Sequence, residues 1–407
     1  MATASLFAAL LRRSRPRNPV AYNLWTSPFV SRRPLSSALS RSEGLAVEDA
    51  PADPEDDLRS RIFRLRLPKR SATNAIDRWT SEGRTVTATE LRQIAKDLRR
   101  SQRYKHALEI LEWMKTHQQS ELSDNDNAMR IDLITKVFGV SGAEEFFEGL
   151  PSTAKSCEAY TALLHSYAAA KLTEKAENLF ERFKESNLSS SALIYNEMMT
   201  LYISVGQLDK VSLIVEELKR RKVSPDLFTY NLWISSCAAT LDINAVRMVL
   251  NEMAQEPSSD EGWITYMRLT DIYLNAGRLV SSESAIAEAD VKISQREWIT
   301  YDFLIILHAG LGNRQMLNEI WKSLQMTSQK ISGRNYICIL SSYLILDQLK
   351  EAAEVIDQWR QSKAQNFDIS DCNRIFEAFK KAGLADTAEK FQDLMLQKDR
   401  KLTSTFC

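Results

Sequence analysis

Apolar positions recur at helical spacing along most of the chain, and one stretch shows the unit clearly. In residues 192–226, Tyr195, Met198, Met199 and Tyr202 fall on one helical face, and Gly206-Gln207 then breaks the pattern. Leu208, Val211, Ile214, Val215 and Leu218 line a second face, and Ser224-Pro225-Asp226 closes the segment. Pro225 has no N–H and cannot extend the preceding helix. The spacing therefore predicts an antiparallel helix pair with one apolar face on each member.

That pair repeats. Tyr residues stand at 160, 195, 230, 266, 301 and 336, in steps of 35 or 36, each early in an apolar-periodic segment. The surrounding words match: Ile194-Tyr195-Asn196, Thr229-Tyr230-Asn231, Thr265-Tyr266-Met267, Thr300-Tyr301-Asp302 and Asn335-Tyr336-Ile337. A further step of 36 reaches Cys372-Asn373. A helix pair cannot bury both faces alone, so neighbouring pairs must stack, and an all-α array is expected. The recurring Tyr reads as a packing residue between helices.

A period of 35 with paired helices resembles the pentatricopeptide repeat family. Its Val-Thr-Tyr-Asn opening and Pro-Asp ending are clearest at 192–226 and into Leu227-Phe228-Thr229-Tyr230-Asn231, and the small Ala of its second helix is matched by Ala107, Ala176, Ala352 and Ala388. The Trp-x-x-Leu-Gly-x-x-Tyr helix of the 34-residue tetratricopeptide repeat is not found in these units. The resemblance covers roughly 88–403, with units at 88–124, 125–156 (short), 157–191, 192–226, 227–262, 263–297, 298–332, 333–368 and 369–403. It implies a right-handed α-solenoid of about eight or nine helix-turn-helix repeats, of the plain P-type and plant mitochondrial-like. A tail at 404–407 and no extra C-terminal domain are expected.

The resemblance also implies a chemistry, one RNA base read by each helix pair through two or three side chains. The main readers are the fifth and last residues of a unit. Unit 192–226 supplies Asn196 and Asp226, a pair that favours uracil in the family. Unit 157–191 supplies Thr161 and Ser191, unit 298–332 supplies Asp302 and Ser332, and the last unit opens with Asn373. Asn231 is followed by Gly262, although the extra residue in that unit makes Asp260 an alternative. Met267 (with Glu297) and Ile337 (with Asp368) cannot hydrogen-bond a base edge. At the position where the family often places a phosphate-facing Lys, the chain has Arg100, Ala169, Ser204, Ala239, Asn275, Gly310, Ile345 and Lys381, so cations remain only at the two ends.

Composition sharpens this picture. The 407 residues include only 12 Gly and 10 Pro, which excludes collagen-like and Gly/Pro-rich disordered classes. Net charge is zero, but it is unevenly spread. Residues 1–42 hold seven Arg, no Lys and no acid, the composition of an organellar transit peptide. Arg outnumbers every other charged type there, which favours the mitochondrion over the chloroplast. Residues 43–58 hold seven acids and no base and read as a disordered linker. Residues 59–118 carry 15 Lys and Arg against 6 acids, whereas 119–407 has a net charge of −9. The cations include Arg59, Arg61, Arg64, Arg66, Lys69 and Arg70 in a basic N-terminal arm or cap (59–87). Arg92, Lys96, Arg99, Arg100, Arg103 and Lys105 follow at helical spacing, as candidate phosphate contacts or as a solvated helix face.

Signals for catalysis are missing. The four His (His106, His117, His165 and His308) form no metal-ligand spacing, and there is no CxxC, GxSxG, Walker loop or GxGxxG. The five Cys are widely spaced and read as reduced thiols. No run of apolar residues is long enough to cross a membrane. The sequence therefore predicts a non-catalytic protein without cofactor or metal. Its role would be that of a mitochondrial RNA-binding adaptor in RNA processing, stability or translation, with single-stranded organellar RNA as partner. The alternative is a scaffold associated with the mitochondrial ribosome, contacting rRNA and ribosomal proteins with a degenerate code.

Overall fold

The computed structural model describes residues 57–65, 71–117, 122–186, 188–256, 260–276, 289–326, 331–362 and 369–405. These form eighteen α-helices and one 3-10 turn at Ser152–Ala154, with no strand among the described residues. The expected transit peptide and nearly all of the acidic linker lie outside them. The described helices fall into two compact units, one within Arg17–Ser189 and one within Ser190–Cys407.

The first unit holds α1 (Leu58–Phe63), α2 (Ala72–Ser81), α3 (Ala88–Arg100), α4 (Tyr104–His117), α5 (Asp124–Glu148), α6 (Cys157–Ala170) and α7 (Thr173–Glu185). The stretch expected as an arm thus contains two helices, capped by Asp57 and Ser71, whose side chains accept from the N–H groups of Ser60 and Thr73. The pairs α3/α4 and α6/α7 match units 88–124 and 157–191, and α5 packs on α4 and α6. In the short unit 125–156, α5 is broken at Gly139, where φ is 84° and ψ is 179°. That backbone region is open essentially to glycine alone, so Gly139 sets the kink.

The second unit opens with α8 (Ala192–Val205), α9 (Asp209–Arg220), α10 (Leu227–Ala239) and α11 (Ile243–Met253). Gly206, at φ 78°, ends α8 in the left-handed conformation, and Gln207 N–H reaches Tyr202 O at 2.9 Å. Helix α9 buries Val211, Ile214, Val215 and Leu218 and leaves its opposite face wet. Each such buried aliphatic side chain contributes about 1.5–3 kcal/mol. Helices α8 and α10, which open their repeats, are different, being buried almost all round. Tyr195, Tyr230, Tyr266 and Tyr301 are each no more than 2% exposed, as packing residues should be.

The unit continues with α12 (Glu261–Ala276), α13 (Ala289–Gly310), α14 (Arg314–Gln325), α15 (Gly333–Ile345), α16 (Leu349–Gln361), α17 (Ile369–Lys381) and α18 (Ala385–Thr405). The pairs α13/α14, α15/α16 and α17/α18 match the last three expected units. Unit 263–297 departs from expectation. Its first helix is α12, but α13 begins at Ala289 and runs unbroken across the expected boundary at 297/298. No Gly or Pro stands between 289 and 309 to stop it.

Candidate nucleic-acid interface

The predicted readers Asn196 and Asp226 are brought together. Asp226 caps α10, its Oδ1 accepting from Thr229 N–H at 2.7 Å, and Asn196 lies one helix away on α8. Asn196 Nδ2 donates to Asp226 Oδ1 at 3.2 Å. Thr229 Oγ1 lies 2.8 Å from both Asn196 Oδ1 and Asp226 Oδ1, so its single proton is shared between two acceptors. Asn196 is fully buried, whereas Asp226 is half-buried.

The other readers are differently placed. Thr161 is buried and donates to Cys157 O at 2.7 Å within α6. Ser191 is exposed at the start of α8, and Asn373 is exposed on α17. Asn231 is buried; its Oδ1 accepts from Tyr266 Oη at 3.2 Å, and its Nδ2 meets no partner. Asp260 Oδ1 caps α12 by accepting from Trp263 N–H at 3.0 Å. Asp302 is fully buried, accepting from Tyr273 Oη at 2.9 Å and from Asn335 Nδ2 at 2.8 Å. Burial pushes its carboxyl up to about 6, against the bonds from Asn335 and Tyr273 and the nearby Arg334 charge. Ser332 holds the N-terminus of α15, where Ser332 Oγ and N–H both donate to Asn335 Oδ1. Met267 is half-buried and Ile337 buried. Asp368 and the side chain of Glu297 lie outside the described residues.

Most predicted phosphate contacts on α3 are engaged within their own unit. Arg92 pairs with Asp126 at 2.8 Å and Arg99 with Asp132 at 2.6 Å, both carboxylates being almost wholly buried. Arg100 pairs with Asp97 at 3.1 Å. Arg103 donates to the carbonyls of Phe63 and Leu65, satisfying the C-terminal end of α1. Lys96 is half-exposed and has no ion pair among the described residues, and Lys381 is exposed at the end of α17. Of the α3 residues read as phosphate contacts or a solvated helix face, Arg92 and Arg99 thus have as partners buried acids thirty or more residues away.

Comparison with known proteins identifies the repeat. The "PPR repeat family" model matches residues 190–239, and the "PPR repeat" model matches 158–188 and 228–257. A mitochondrial pentatricopeptide repeat-containing protein of Arabidopsis thaliana is 52% identical over 97% of this chain and 97% of its own length. The chain belongs to the pentatricopeptide repeat family. A second Arabidopsis thaliana member is 33% identical over 83% of this chain and 69% of its own. A third, named as mitochondrial, is 30% identical over 86% of this chain and 71% of its own. Among solved structures, maize PPR10 aligns with a TM-score of 0.31 at 15% identity, covering 80% of this chain and 51% of that chain. PPR10 in complex with an 18-nt psaJ RNA element gives 0.39 at 16%, covering 81% and 48%. The chain spans about half the length of those solved chains.

Within this pentatricopeptide repeat protein, sequence reasoning missed the partners of the reader positions: Thr229, Tyr266, Tyr273 and Asn335. A signal for two of them was present. Thr229 and Asn335 each stand directly before a repeat Tyr, and each bonds the reader 33 residues earlier. Among the described residues, no group of three or more His, Cys, Asp or Glu is arranged to hold a metal ion, and no helix is long and apolar enough to cross a membrane.

Proposed function

We propose that this pentatricopeptide repeat protein binds single-stranded organellar RNA in mitochondria and acts without catalysis, as an adaptor in RNA processing, stability or translation. The observation that carries the reading is the Asn196–Asp226 pair. Two residues thirty apart in sequence, at the fifth and last positions of one repeat, are brought within hydrogen-bond distance of each other at 3.2 Å, so that both could be presented to one base edge. The Arg-rich, acid-free N-terminus and the mitochondrial names of two relatives support the compartment. The test is binding of the purified full chain to total mitochondrial RNA at low salt. A saturable shift is expected, and no retention of RNA would overturn the reading.

A second reading, a scaffold contacting ribosomal proteins and rRNA, is favoured by the ion pairs of Arg92 and Arg99, which divert cations from phosphate. Cosedimentation with mitochondrial ribosomal subunits would support it, and recovery only in ribosome-free fractions would count against it.

A further inference from the structure

The stacking order of the repeat breaks between α12 and α13. Elsewhere in this unit, side chains on the opening helices of successive repeats meet at offsets near the repeat length. Asn196 meets Thr229 and Asp302 meets Asn335, both 33 residues apart, while Asn231 meets Tyr266, 35 apart. Tyr230 and Trp263 meet edge to face at 5.4 Å in the same register. Continued one step further, that register would lay α13 parallel on α12. The structure lays it antiparallel. The N-terminal end of α12 lies against the C-terminal end of α13, where a Cβ on Gly262 would stand 2.8 Å from Gly310 O. Further along, Tyr273 reaches back to Asp302 and packs on Phe303 at 5.4 Å.

The consequence falls on the reader positions. Helix α13 packs on α10, α12 and α15, and α12 packs also on α15 and α17, so opening helices from before and after the break meet one another. From Ile299 to Gly310 every residue of α13 is buried. Asn231 and Asp302, at the fifth positions of their repeats, are bonded by the hydroxyls of Tyr266 and Tyr273, both on α12. Asn231 Nδ2 is left as a buried donor with no acceptor, although buried amides are nearly always satisfied. A base edge would supply that acceptor.

We propose that this protein keeps part of its RNA-reading face closed with its own helices, α12 and α13 being latched through Tyr266–Asn231, Tyr273–Asp302 and the Gly262–Gly310 approach, and that single-stranded RNA binds these repeats only by displacing that packing. The proposal rests on the RNA-binding reading above. It makes the closed form a tax on affinity, because apparent binding scales with the fraction of molecules that are open.

The test is to pry the latch at a residue with no side chain of its own. In Gly262→Val the added carbons must push α13 away from Gly310. Hydrogen exchange over 261–276 and 300–310 reports the packing without RNA, and fluorescence anisotropy with a labelled single-stranded RNA of mixed sequence reports binding. Faster exchange together with affinity raised about tenfold or more is expected, the factor following from a closed population above about nine-tenths. Faster exchange with unchanged affinity would overturn the occlusion, and unchanged exchange in a folded variant would overturn the latch. Faster exchange with no RNA bound by either protein would overturn the RNA reading on which the proposal stands. Tyr273→Phe, which removes only a hydroxyl, serves if Gly262→Val does not fold. It should move exchange and affinity in the same directions by a smaller factor, and no change in either would overturn the latch.

Discussion

Tyr273 donates its hydroxyl to Asp302 at 2.9 Å across two helices that the repeat register would have set parallel and that instead run antiparallel. The carboxyl at this predicted base-reading position is fully buried, and burial pushes it up to about 6. On the same helix, His308 is buried with neither ring nitrogen bonded, and burial pushes its imidazole down to about 4.

These two groups oppose one another. Asp302 holds its proton to about pH 6 when folded but releases it near 3.8 when unfolded, so its contribution to stability is lost as pH rises through that window. His308 takes a proton near 6.5 when unfolded but only near 4 when folded, so its contribution is lost as pH falls through 6.5 to 4. Asp302→Asn removes the first slope. Relative to the parent, its stability should rise between about pH 3.8 and 6, by about 3 kcal/mol at about 1.4 kcal/mol per pH unit. Denaturant unfolding at several pH values checks this, and parallel pH profiles of variant and parent would contradict it.

Asp226 caps α10 and, on the proposed RNA-binding reading, also reads a base, and the two roles separate. As the N-cap of α10 it accepts from Thr229 N–H, so Asp226→Ala should cost about 1 kcal/mol. Asp226→Asn keeps a capping acceptor and should stay within about 0.5 kcal/mol of the parent while changing which base is preferred. Urea denaturation reads the first effect and binding to RNAs differing at one base reads the second.

Arg99 should act on stability more than on RNA. Its removal strands the buried Asp132 carboxylate, at a cost of about 3 kcal/mol. Lys96→Ala and Lys381→Ala should leave the unfolding midpoint nearly unchanged and each lower the slope of log affinity against log salt by about 1. Thermal melts beside salt titrations of RNA binding sort the two groups. A salt slope lowered by Arg99→Ala in a protein with unchanged melting would contradict the assignment.

Much of this fold was legible in the chain because a repeat writes the same physics many times. The Tyr step fixed the opening helices, and Gly206 and Pro225 marked where a helix must end. The site was less legible. Asn196 and Asp226 sit where the repeat puts them, but their neighbour Thr229 looks like an ordinary N-terminal helix residue until the helices are stacked. Arg92 and Arg99 have helical spacing whether they face phosphate or buried acids, and local sequence does not say that Asp126 and Asp132 lie opposite. The reversal between α12 and α13 depends on which long-range packing wins. Thr300-Tyr301-Asp302 repeats the local pattern of Thr265-Tyr266-Met267, and only Gly262 and Gly310 mark the close approach.

Central to the account is that Asn196 and Asp226 together read one base. The most direct measurement is selection of a random RNA pool by the full chain, in parallel with Asn196→Ala/Asp226→Asn. Expected is an enriched sequence with uracil at one fixed position, whose preference the variant loses, worth about 1–3 kcal/mol by analogy with a lost base contact. Equal enrichment of the same sequence by parent and variant, or none by the parent, would contradict it.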